Sequence, residues 1–349
     1  MAWRGVIAEY REWIDLPAPS PIITLLEGGT PLIPLPALGR MLGKKVTLYA
    51  KYEGLNPTGS FKDRGMTVAI SEAVGRKARK VICASTGNTA ASAAAYASRS
   101  GIPCIVLIPQ GKVAMGKLAG ALAYGAMVLQ IKGSFDDALT LVVQASQKLS
   151  IALVNSLNPY RLEGQKTAAF EVCDALGKSP DWLCLPVGNA GNITSYWMGF
   201  KQYQRVKQTG LPKILGVQAE GAAPLVVGHP VEPETVATAI RIGKPARGEE
   251  ALAAAQESGG RIIAVSDDLI LSMQKMLASE GLWVEPASAA GLAGLASEVR
   301  ANRLTLDGQT IVTVCTGHGL KDPDIITQRA PAIRLLAPIL SDLEEVLRG

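Results

Sequence analysis

Short apolar runs rich in β-branched residues alternate along the chain with longer Ala-rich stretches in which apolar positions recur at helical spacing. Between residues 80 and 154 this alternation predicts one series of strands and helices. The strands are expected over 80–84, 104–108, 126–131 and 151–154, and the helices near 88–99, 115–124 and 136–149. Strands that alternate with helices are typical of an α/β unit with a mostly parallel sheet.

A second series of the same kind follows in the C-terminal half. Its strands are expected over 182–186, 214–219, 262–265 and 310–315, with helices such as 267–279 between them, and an earlier strand is predicted at 46–52. The predicted fold class is therefore α/β, with two open, twisted, mostly parallel sheets and flanking helices. Open sheets bind ligands at the carboxyl ends of their strands, which places an active site in the cleft between the two domains.

The length of 349 residues also favours two domains, because it exceeds the usual size of a single hydrophobic core. A boundary is predicted near residues 155–159, where a strand ends in Asn-Ser-Leu-Asn-Pro. The first fifty residues precede the smaller unit and are expected to join the larger one. The prediction is a discontinuous large domain over 1–55 and 157–349, and a small domain over 56–156.

Composition narrows the possible partners. The net charge of +5 comes from 35 basic and 30 acidic residues without a long basic run, so nucleic-acid binding is disfavoured and an anionic small molecule fits at least as well. The five cysteines are odd in number and far apart, which indicates buried thiols rather than disulfides or a metal site. No apolar run reaches the roughly 18 residues that span a bilayer, and acidic residues interrupt the N-terminal segment, so a cytoplasmic protein without membrane contact is expected.

The segment Asn-Pro-Thr-Gly-Ser-Phe-Lys-Asp-Arg-Gly, residues 56–65, places Lys62 between two turn-forming stretches at a predicted helix start. A lysine whose ammonium is desolvated there loses its proton readily and can form a Schiff base with an aldehyde cofactor. The alternative is a solvated lysine at a helix start, which describes most lysines. The neighbouring Gly59, Ser60 and Asp63, and the strand that leads in, favour the reactive interpretation.

Two strand ends are followed by small polar or glycine-rich turns that open helices. The run Ser85-Thr86-Gly87-Asn88-Thr89 offers hydroxyl and backbone N–H groups to an anion such as an amino-acid carboxylate, although ordinary helix capping uses the same residue types. The run 188–192, Gly-Asn-Ala-Gly-Asn, can surround a phosphate closely because glycine has no Cβ, with a plain tight turn as an equal alternative.

The segment 155–167 joins the two units and contains Asn155, Ser156 and Arg161. An arginine presents planar, paired donors that match a phosphate, so this segment can select a phosphorylated substrate at the cleft. A linker with a solvated arginine is the alternative. Beyond the last strand, His318 is one of only two histidines. It is assigned a supporting position, because a lysine can already perform the proton transfers.

Taken in order, these motifs resemble those of the pyridoxal-phosphate (PLP) enzymes of fold type II, the tryptophan synthase β-like superfamily, and within it the threonine synthases. The resemblance covers roughly residues 25–325 and depends most on the runs 60–64, 85–89 and 155–167. Segments 26–32 and 285–290 match as well. Only about thirty residues follow the Gly319 loop, so a form without an effector-binding domain is expected.

The resemblance implies roles for the residues of these motifs. Lys62 would be the catalytic residue that carries PLP, Asn88 would bind the ring hydroxyl, and Thr316 would meet the pyridine nitrogen. The implied phosphate cup consists of Gly188, Asn189, Ala190, Gly191 and Asn192. The implied substrate-binding residues are Ser85, Thr86, Thr89, Asn155, Ser156, Arg161 and Asn189, and no metal is implied.

The implied activity is that of a threonine synthase, a PLP-dependent lyase that ends threonine biosynthesis. It converts O-phospho-L-homoserine and water to L-threonine and phosphate by γ-elimination, followed by addition of water at Cβ. A homodimer is expected by analogy. The nearest alternative is a threonine or serine dehydratase of the same fold, which performs β-elimination. A catalytically silent binding protein is disfavoured because the lysine, the glycine turn and Thr316 are all present.

Overall fold

The computed structural model describes residues 2–111, 115–327 and 335–348, and these residues form two sheets. The strands are β1 Leu32–Pro34, β2 Thr47–Tyr52, β3 Val81–Ala84, β4 Cys104–Pro109, β5 Met127–Ile131, β6 Ala152–Leu153, β7 Trp182–Pro186, β8 Lys213–Ala219, β9 Arg261–Val265 and β10 Thr310–Cys315. One sheet has the order β1-β2-β10-β7-β8-β9, and the other has the order β5-β4-β3-β6. The two-sheet α/β architecture predicted from the sequence is confirmed.

The helices cover both faces of the sheets. They are α1 Val6–Glu9, α2 Pro36–Leu42, α3 Lys62–Gly75, α4 Asn88–Ser100, α5 Met115–Ala123, α6 Phe135–Lys148, α7 Pro159–Gln165, α8 Thr167–Leu176, α9 Gly191–Lys207, α10 Pro224–Val227, α11 Gly248–Glu257, α12 Asp267–Ser279, α13 Pro286–Arg300, α14 Asp324–Thr327 and α15 Leu340–Arg348. Short 3₁₀ helices lie at Arg11–Trp13, Glu53–Leu55, Glu220–Ala222, Thr238–Ile240 and Gly319–Lys321.

The six-stranded sheet is parallel except at one edge. Strands β7 and β8 are buried on both faces apart from Lys213, as expected for a parallel sheet covered by helices. At the edge, β1 runs antiparallel to β2, with Leu32 opposite Lys51. The sequence analysis did not predict β1, because a three-residue strand that ends in Pro34 has no apolar alternation.

The four-stranded sheet is parallel throughout, with β3 paired to both β4 and β6. One core beneath it contains residues of α3, α4 and α5, and a second, smaller core contains residues of α6. We call this sheet with α4–α6 the small lobe, and the six-stranded sheet with its helices the large lobe. The domain boundaries between residues 55 and 56 and between residues 156 and 157 stay a prediction.

Helices α3 and α7 cross where the two lobes meet, and two glycines allow their backbones to touch. A Cβ on Gly164 would lie 1.8 Å from the carbonyl oxygen of Arg64, and a Cβ on Gly65 would lie 2.6 Å from the carbonyl oxygen of Arg161. Both positions therefore require glycine. The crossing brings Arg161 of α7 beside the first turn of α3, where Lys62 lies.

The five cysteines are all buried and free, as the sequence indicated. No helix in the described ranges is long and apolar enough to cross a membrane.

Candidate active site

Lys62 is the first residue of α3 and lies beside the end of the last strand, β10. The backbone N–H of Phe61 donates to the carbonyl oxygen of Thr316 at 3.0 Å, and Ser60 forms an isolated β-bridge with Gly317. These contacts hold the lysine turn against the Thr316 segment, more than 250 residues away in the chain. The structure thus brings together two of the motifs that the sequence analysis selected.

The side chain of Lys62 has no compensating charge in contact with it. Its Nζ lies 4.3 Å from the centroid of the Phe61 ring and makes no hydrogen bond with any described residue. Burial lowers the pKa of Lys62 to about 7; the nearby charge of Arg161 acts in the same direction, and Glu285 opposes it. Protein atoms surround the amine on most sides, while part of the residue remains exposed to the cleft. A substantial fraction is therefore neutral and nucleophilic at neutral pH.

The Ser85–Thr89 run lies at the end of β3 and leads into α4, which begins at Asn88. Ser85, Thr86 and Thr89 are partly exposed, and Asn88 is buried. The amide of Asn155 holds this strand end, because its Oδ1 accepts from the N–H of Ala84 and its Nδ2 donates to the carbonyl oxygen of Ala84, both at 2.9 Å. Asn155, predicted to bind substrate, therefore also supports the turn.

Asn88 and Thr316 meet at Glu285, a residue without an assigned role in the sequence analysis. The Nδ2 of Asn88 donates to the two carboxyl oxygens of Glu285 at 3.0 and 3.2 Å, and the Thr316 hydroxyl lies 3.5 Å from Oε1. Burial raises the pKa of Glu285, against the hydrogen bond of Asn88 and the charge of Lys321. The Thr316 hydroxyl also contacts the hydroxyl of Ser288 at 2.9 Å. The only sequence signal for Glu285 was its place in the segment 285–290.

The Gly188–Asn192 turn connects β7 to α9, whose first residue is Gly191. Ala190 adopts the left-handed conformation with φ at 67°, and a Cβ on Gly188 would lie 3.0 Å from the Cα of Ile240. The Nδ2 of Asn192 is buried and has no hydrogen-bond partner among the residues that the structure describes. A free buried donor at the N-terminus of a 17-residue helix suits an anion such as a phosphate.

Arg161 is buried, and only part of its guanidinium is hydrogen-bonded. Its Nη1 donates to the carbonyl oxygen of Val154 at 2.8 Å, whereas its Nε has no hydrogen-bond partner within residues 2–111, 115–327 and 335–348. Burial lowers the pKa of Arg161 to about 10, so the side chain stays charged at neutral pH. A buried cation with an unused donor is suited to an anionic ligand, which is the role predicted from the sequence.

Three basic residues near the cleft were missed by the sequence analysis. Lys321 donates to the carbonyl oxygen of Thr58 at 3.1 Å. Arg247 donates to the carbonyl oxygens of Ser156 and Leu157 at 3.1 and 3.2 Å. Lys117, on α5 of the small lobe, reaches across the cleft. Its Nζ lies 2.9 Å from the Thr238 hydroxyl and 3.0 Å from a carboxyl oxygen of Asp322. None of them lies in a glycine- or hydroxyl-rich run, so only long-range contacts identify them.

His318 packs rather than reaches into the cleft. Its ring stacks near Tyr52, with 6.2 Å between centroids, and contacts Trp283 edge-on. Its Nδ1 accepts from the backbone N–H of Leu320 at 3.1 Å, and burial lowers its pKa. A neutral, packed histidine agrees with the supporting position expected for it.

The residues of the site fit PLP on structural grounds. The turn that carries the Lys62 amine, whose pKa is lowered, bonds the backbone of Thr316, and the glycine turn presents an amide donor at a helix N-terminus that has no partner among the described residues. The amine can bond the aldehyde of PLP, Thr316 can face its ring nitrogen, and the amide donor can bind its phosphate. The fit rests on the buried Nδ2 of Asn192 and on the kinds of donor that these residues present.

Sequence and structure comparisons identify known proteins that this chain resembles. The profile of the family described as pyridoxal-phosphate dependent enzyme matches residues 23–317. A threonine synthase of Synechocystis sp. is 55% identical and covers 99% of this chain and 91% of its own. A threonine synthase of Halalkalibacterium halodurans is 56% identical over 92% of this chain and 91% of its own. The solved structure of maize serine racemase is 19% identical, with a TM-score of 0.74 over 94% of this chain and 97% of its own, and shows a shared fold.

Proposed function

Because this chain belongs to the family of pyridoxal-phosphate dependent enzymes, we infer that it is a PLP-dependent lyase with threonine synthase activity. The observation that carries the conclusion is a sequence identity above one half, over nearly the whole length, to the threonine synthases of Synechocystis sp. and Halalkalibacterium halodurans. The reaction converts O-phospho-L-homoserine and water to L-threonine and phosphate. The amine of Lys62, which has a lowered pKa and no hydrogen bond to a described residue, supplies the matching chemistry in this chain.

When bound, PLP supplies an aldehyde that bonds to amines and a conjugated ring that withdraws electrons from the substrate carbons. In this proposal Lys62 holds the aldehyde carbon, Asn88 the ring hydroxyl and Thr316 the ring nitrogen. The turn of Gly188, Asn189, Ala190, Gly191 and Asn192 holds the phosphate through backbone N–H groups and the free amide of Asn192. The neutral hydroxyl of Thr316 leaves the ring nitrogen uncharged more readily than a carboxylate would.

Lys62 also moves the protons. After the amino group of the substrate displaces it, its neutral amine would remove a proton from Cα, pass that proton to the cofactor, and so be neutral again when it removes one from Cβ. A base with a pKa near 7 suits this task at neutral pH, because a substantial fraction is unprotonated and its protonated form can return the proton at Cγ. Phosphate leaves from Cγ, and water adds at Cβ.

The substrate is held at two ends. Ser85, Thr86 and Thr89 are partly exposed at the N-terminus of α4 and bind the carboxylate. Arg161 binds the phosphate through its free Nε, together with Ser156, Asn189 and Asn155. A fixed donor aimed at a departing phosphate is worth about 3 kcal/mol of transition-state stabilisation.

We also propose that the protein is a cytoplasmic homodimer without nucleic-acid or membrane partners. Its modest net charge supports the absence of a nucleic-acid partner, and the dimer is inferred by analogy with other enzymes of this fold. Sedimentation of the PLP-loaded protein at several concentrations tests the oligomeric state, and a monomer at micromolar concentration would contradict the dimer.

The activity is tested by assaying the purified, PLP-loaded protein for two products in parallel. Phosphate and threonine should form in equal amounts from O-phospho-L-homoserine. Keto acid should form from threonine far more slowly, since that product marks a dehydratase. Efficient keto-acid formation without phosphate release would replace the proposed function with the dehydratase alternative.

A further inference from the structure

Asp63, the residue directly after Lys62, is fully buried and accepts three short hydrogen bonds. Its Oδ2 accepts from the backbone N–H of Thr58 at 2.7 Å, and its Oδ1 accepts from the Thr58 hydroxyl at 2.6 Å. The same Oδ1 accepts from the Ser92 hydroxyl at 2.6 Å. One carboxylate thus contacts both the turn before Lys62 and helix α4 of the small lobe.

The two partners of Asp63 belong to the two halves of the site. Thr58 lies in the turn that delivers Lys62, which Gly59 closes through its N–H to the carbonyl oxygen of Asn56 at 2.8 Å. Ser92 lies on α4, one helical turn beyond Asn88, and therefore moves with the Ser85–Thr89 run. The carboxylate is the shared acceptor between the lysine turn and the proposed carboxylate-binding turn.

A carboxylate in the first turn of a helix usually accepts from the free N–H groups of that helix. Asp63 does not, because none of its three donors belongs to α3. Burial raises the pKa of Asp63 to about 6, against the hydrogen bonds from Ser92 and Thr58. The group is therefore largely ionised at neutral pH, and hydrogen bonds to an ionised acceptor are about twice as strong as neutral ones.

We propose that Asp63 is a positioning residue that fixes the amine of Lys62 relative to the Ser85–Thr89 turn by bonding Thr58 and Ser92 at once. The inference rests on the proposed function of Lys62 as the cofactor lysine. It assigns Asp63 no contact with substrate or PLP. Its effect on the reaction passes through the orientation of the amine and of the bound cofactor.

The test removes one of the three bonds in the PLP-loaded enzyme. Ser92→Ala deletes the donor on α4 and leaves both bonds from Thr58 intact. The change suits a helix, since alanine is the best helix former and positions 90, 91 and 93 are already alanine. Ser100→Ala is the matched control, because Ser100 lies on the same helix and bonds only within it, to the carbonyl oxygen of Ala97 at 2.8 Å.

Two readouts are compared with the wild type: the visible circular dichroism of PLP bound at Lys62, and kcat/KM for O-phospho-L-homoserine. Ser92→Ala should alter the dichroism per bound PLP and lower kcat/KM about tenfold to a hundredfold, the range set by one hydrogen bond to a charged group. Ser100→Ala should match the wild type in both. Wild-type dichroism and kcat/KM in Ser92→Ala would overturn the proposal. So would a loss of activity that only follows the unfolded fraction.

A third variant tests whether the bonds act through one carboxylate. Thr58→Val deletes the second hydroxyl donor, and combining it with Ser92→Ala should cost less than the product of the single losses, because both disturb the same acceptor. If the loss in the double variant equals the product of the two single losses, the proposed coupling through Asp63 is wrong. A wild-type protein without any visible PLP band would instead refute Lys62 as the cofactor lysine, so the two failures are distinguishable.

Discussion

Lys62 and Arg64 lie two residues apart on α3, both amid protein atoms, and they have opposite surroundings. The guanidinium of Arg64 donates to Glu53 at 2.6 and 2.8 Å and to Glu171 at 2.6 and 2.7 Å, with Thr30 at 3.0 Å. The amine of Lys62 has none of these partners in the described chain. Removing a buried charge whose donors are all paired leaves its partners uncompensated, whereas a buried charge without such partners is available for chemistry.

The pKa values also differ between the paired groups around Arg64 and the amine of Lys62. Burial alone raises the pKa of Glu171, but the charges of Arg64 and Lys51 outweigh it and bring the pKa down to about 2. The pKa of Arg64 is raised well above its ordinary value, because Glu171 and Glu53 outweigh the effect of burial. At Lys62 burial is reinforced by Arg161 and lowers the pKa to about 7. Glu171 and Arg64 therefore stay ionised over the whole physiological range, and the amine of Lys62 does not.

Removing the unpaired amine should have the largest effect. Lys62→Ala should abolish the visible absorbance band of bound PLP and reduce turnover by at least about 10²–10⁴-fold, the range for the loss of a general base. Stability should change little, because no hydrogen bond of Lys62 Nζ to the described residues is lost. Normal turnover in this variant would eliminate the assignment.

Removing Arg64 should damage stability instead. Arg64→Met leaves the carboxylates of Glu53 and Glu171 buried with less compensation, which typically costs about 3–5 kcal/mol of unfolding free energy. Denaturant unfolding measures the loss. Arg76→Met at the end of the same helix is the control: its pair with Glu72 is exposed, so the expected cost is about 0.3–0.5 kcal/mol. Equal losses would mean that the cluster is not a special source of stability.

Local sequence patterns predicted the site of Lys62 better than they predicted the partners of Arg64. Lys62, Gly188 and the helix from Asp267 to Ser279 lie in local patterns, and Ser266 caps that helix through a bond to the N–H of Leu269. The partners of Arg64 are Glu53 and Glu171, the second 107 residues away, and no local pattern joins them. Glu285 was likewise found only through its contact with Asn88. Such pairs are set by contacts between elements that are distant in the chain, not by periodicity.

Arg161 is intermediate between the two cases, with one hydrogen bond made and Nε free. Arg161→Ala should lower kcat/KM for O-phospho-L-homoserine about 10²–10³-fold, as the loss of one fixed donor to a developing anion does. The affinity for PLP should hardly change, because the proposed cofactor contacts lie elsewhere. Activity assays measure kcat/KM, and PLP titrations measure the affinity for the cofactor. Equal losses in both quantities would count against a substrate role for Arg161.

The lowered pKa of Lys62 predicts how PLP attachment depends on pH. Only the neutral amine attacks an aldehyde, so the attachment rate to PLP-free protein should rise about tenfold per pH unit below 7 and level off above it. An ordinary lysine with a pKa of 10.5 would show a rise that continues to pH 10. Stopped-flow absorbance measures the rate. Pyridoxal without its phosphate serves as the control, since a phosphate ester titrates near pH 6.

The smallest effect is expected where a charge is paired and partly exposed. Lys117 bridges the lobes through Asp322 and Thr238, yet about a fifth of its side chain is exposed, and such ion pairs contribute only about 0.2–1 kcal/mol. Lys117→Met should therefore raise KM for O-phospho-L-homoserine at most about fivefold, by favouring the open cleft. Lys201→Met is the control, because its ion pair with Glu257 lies within the large lobe. A rise in KM shared by both variants would show that crossing the cleft gives the Lys117 pair no particular function.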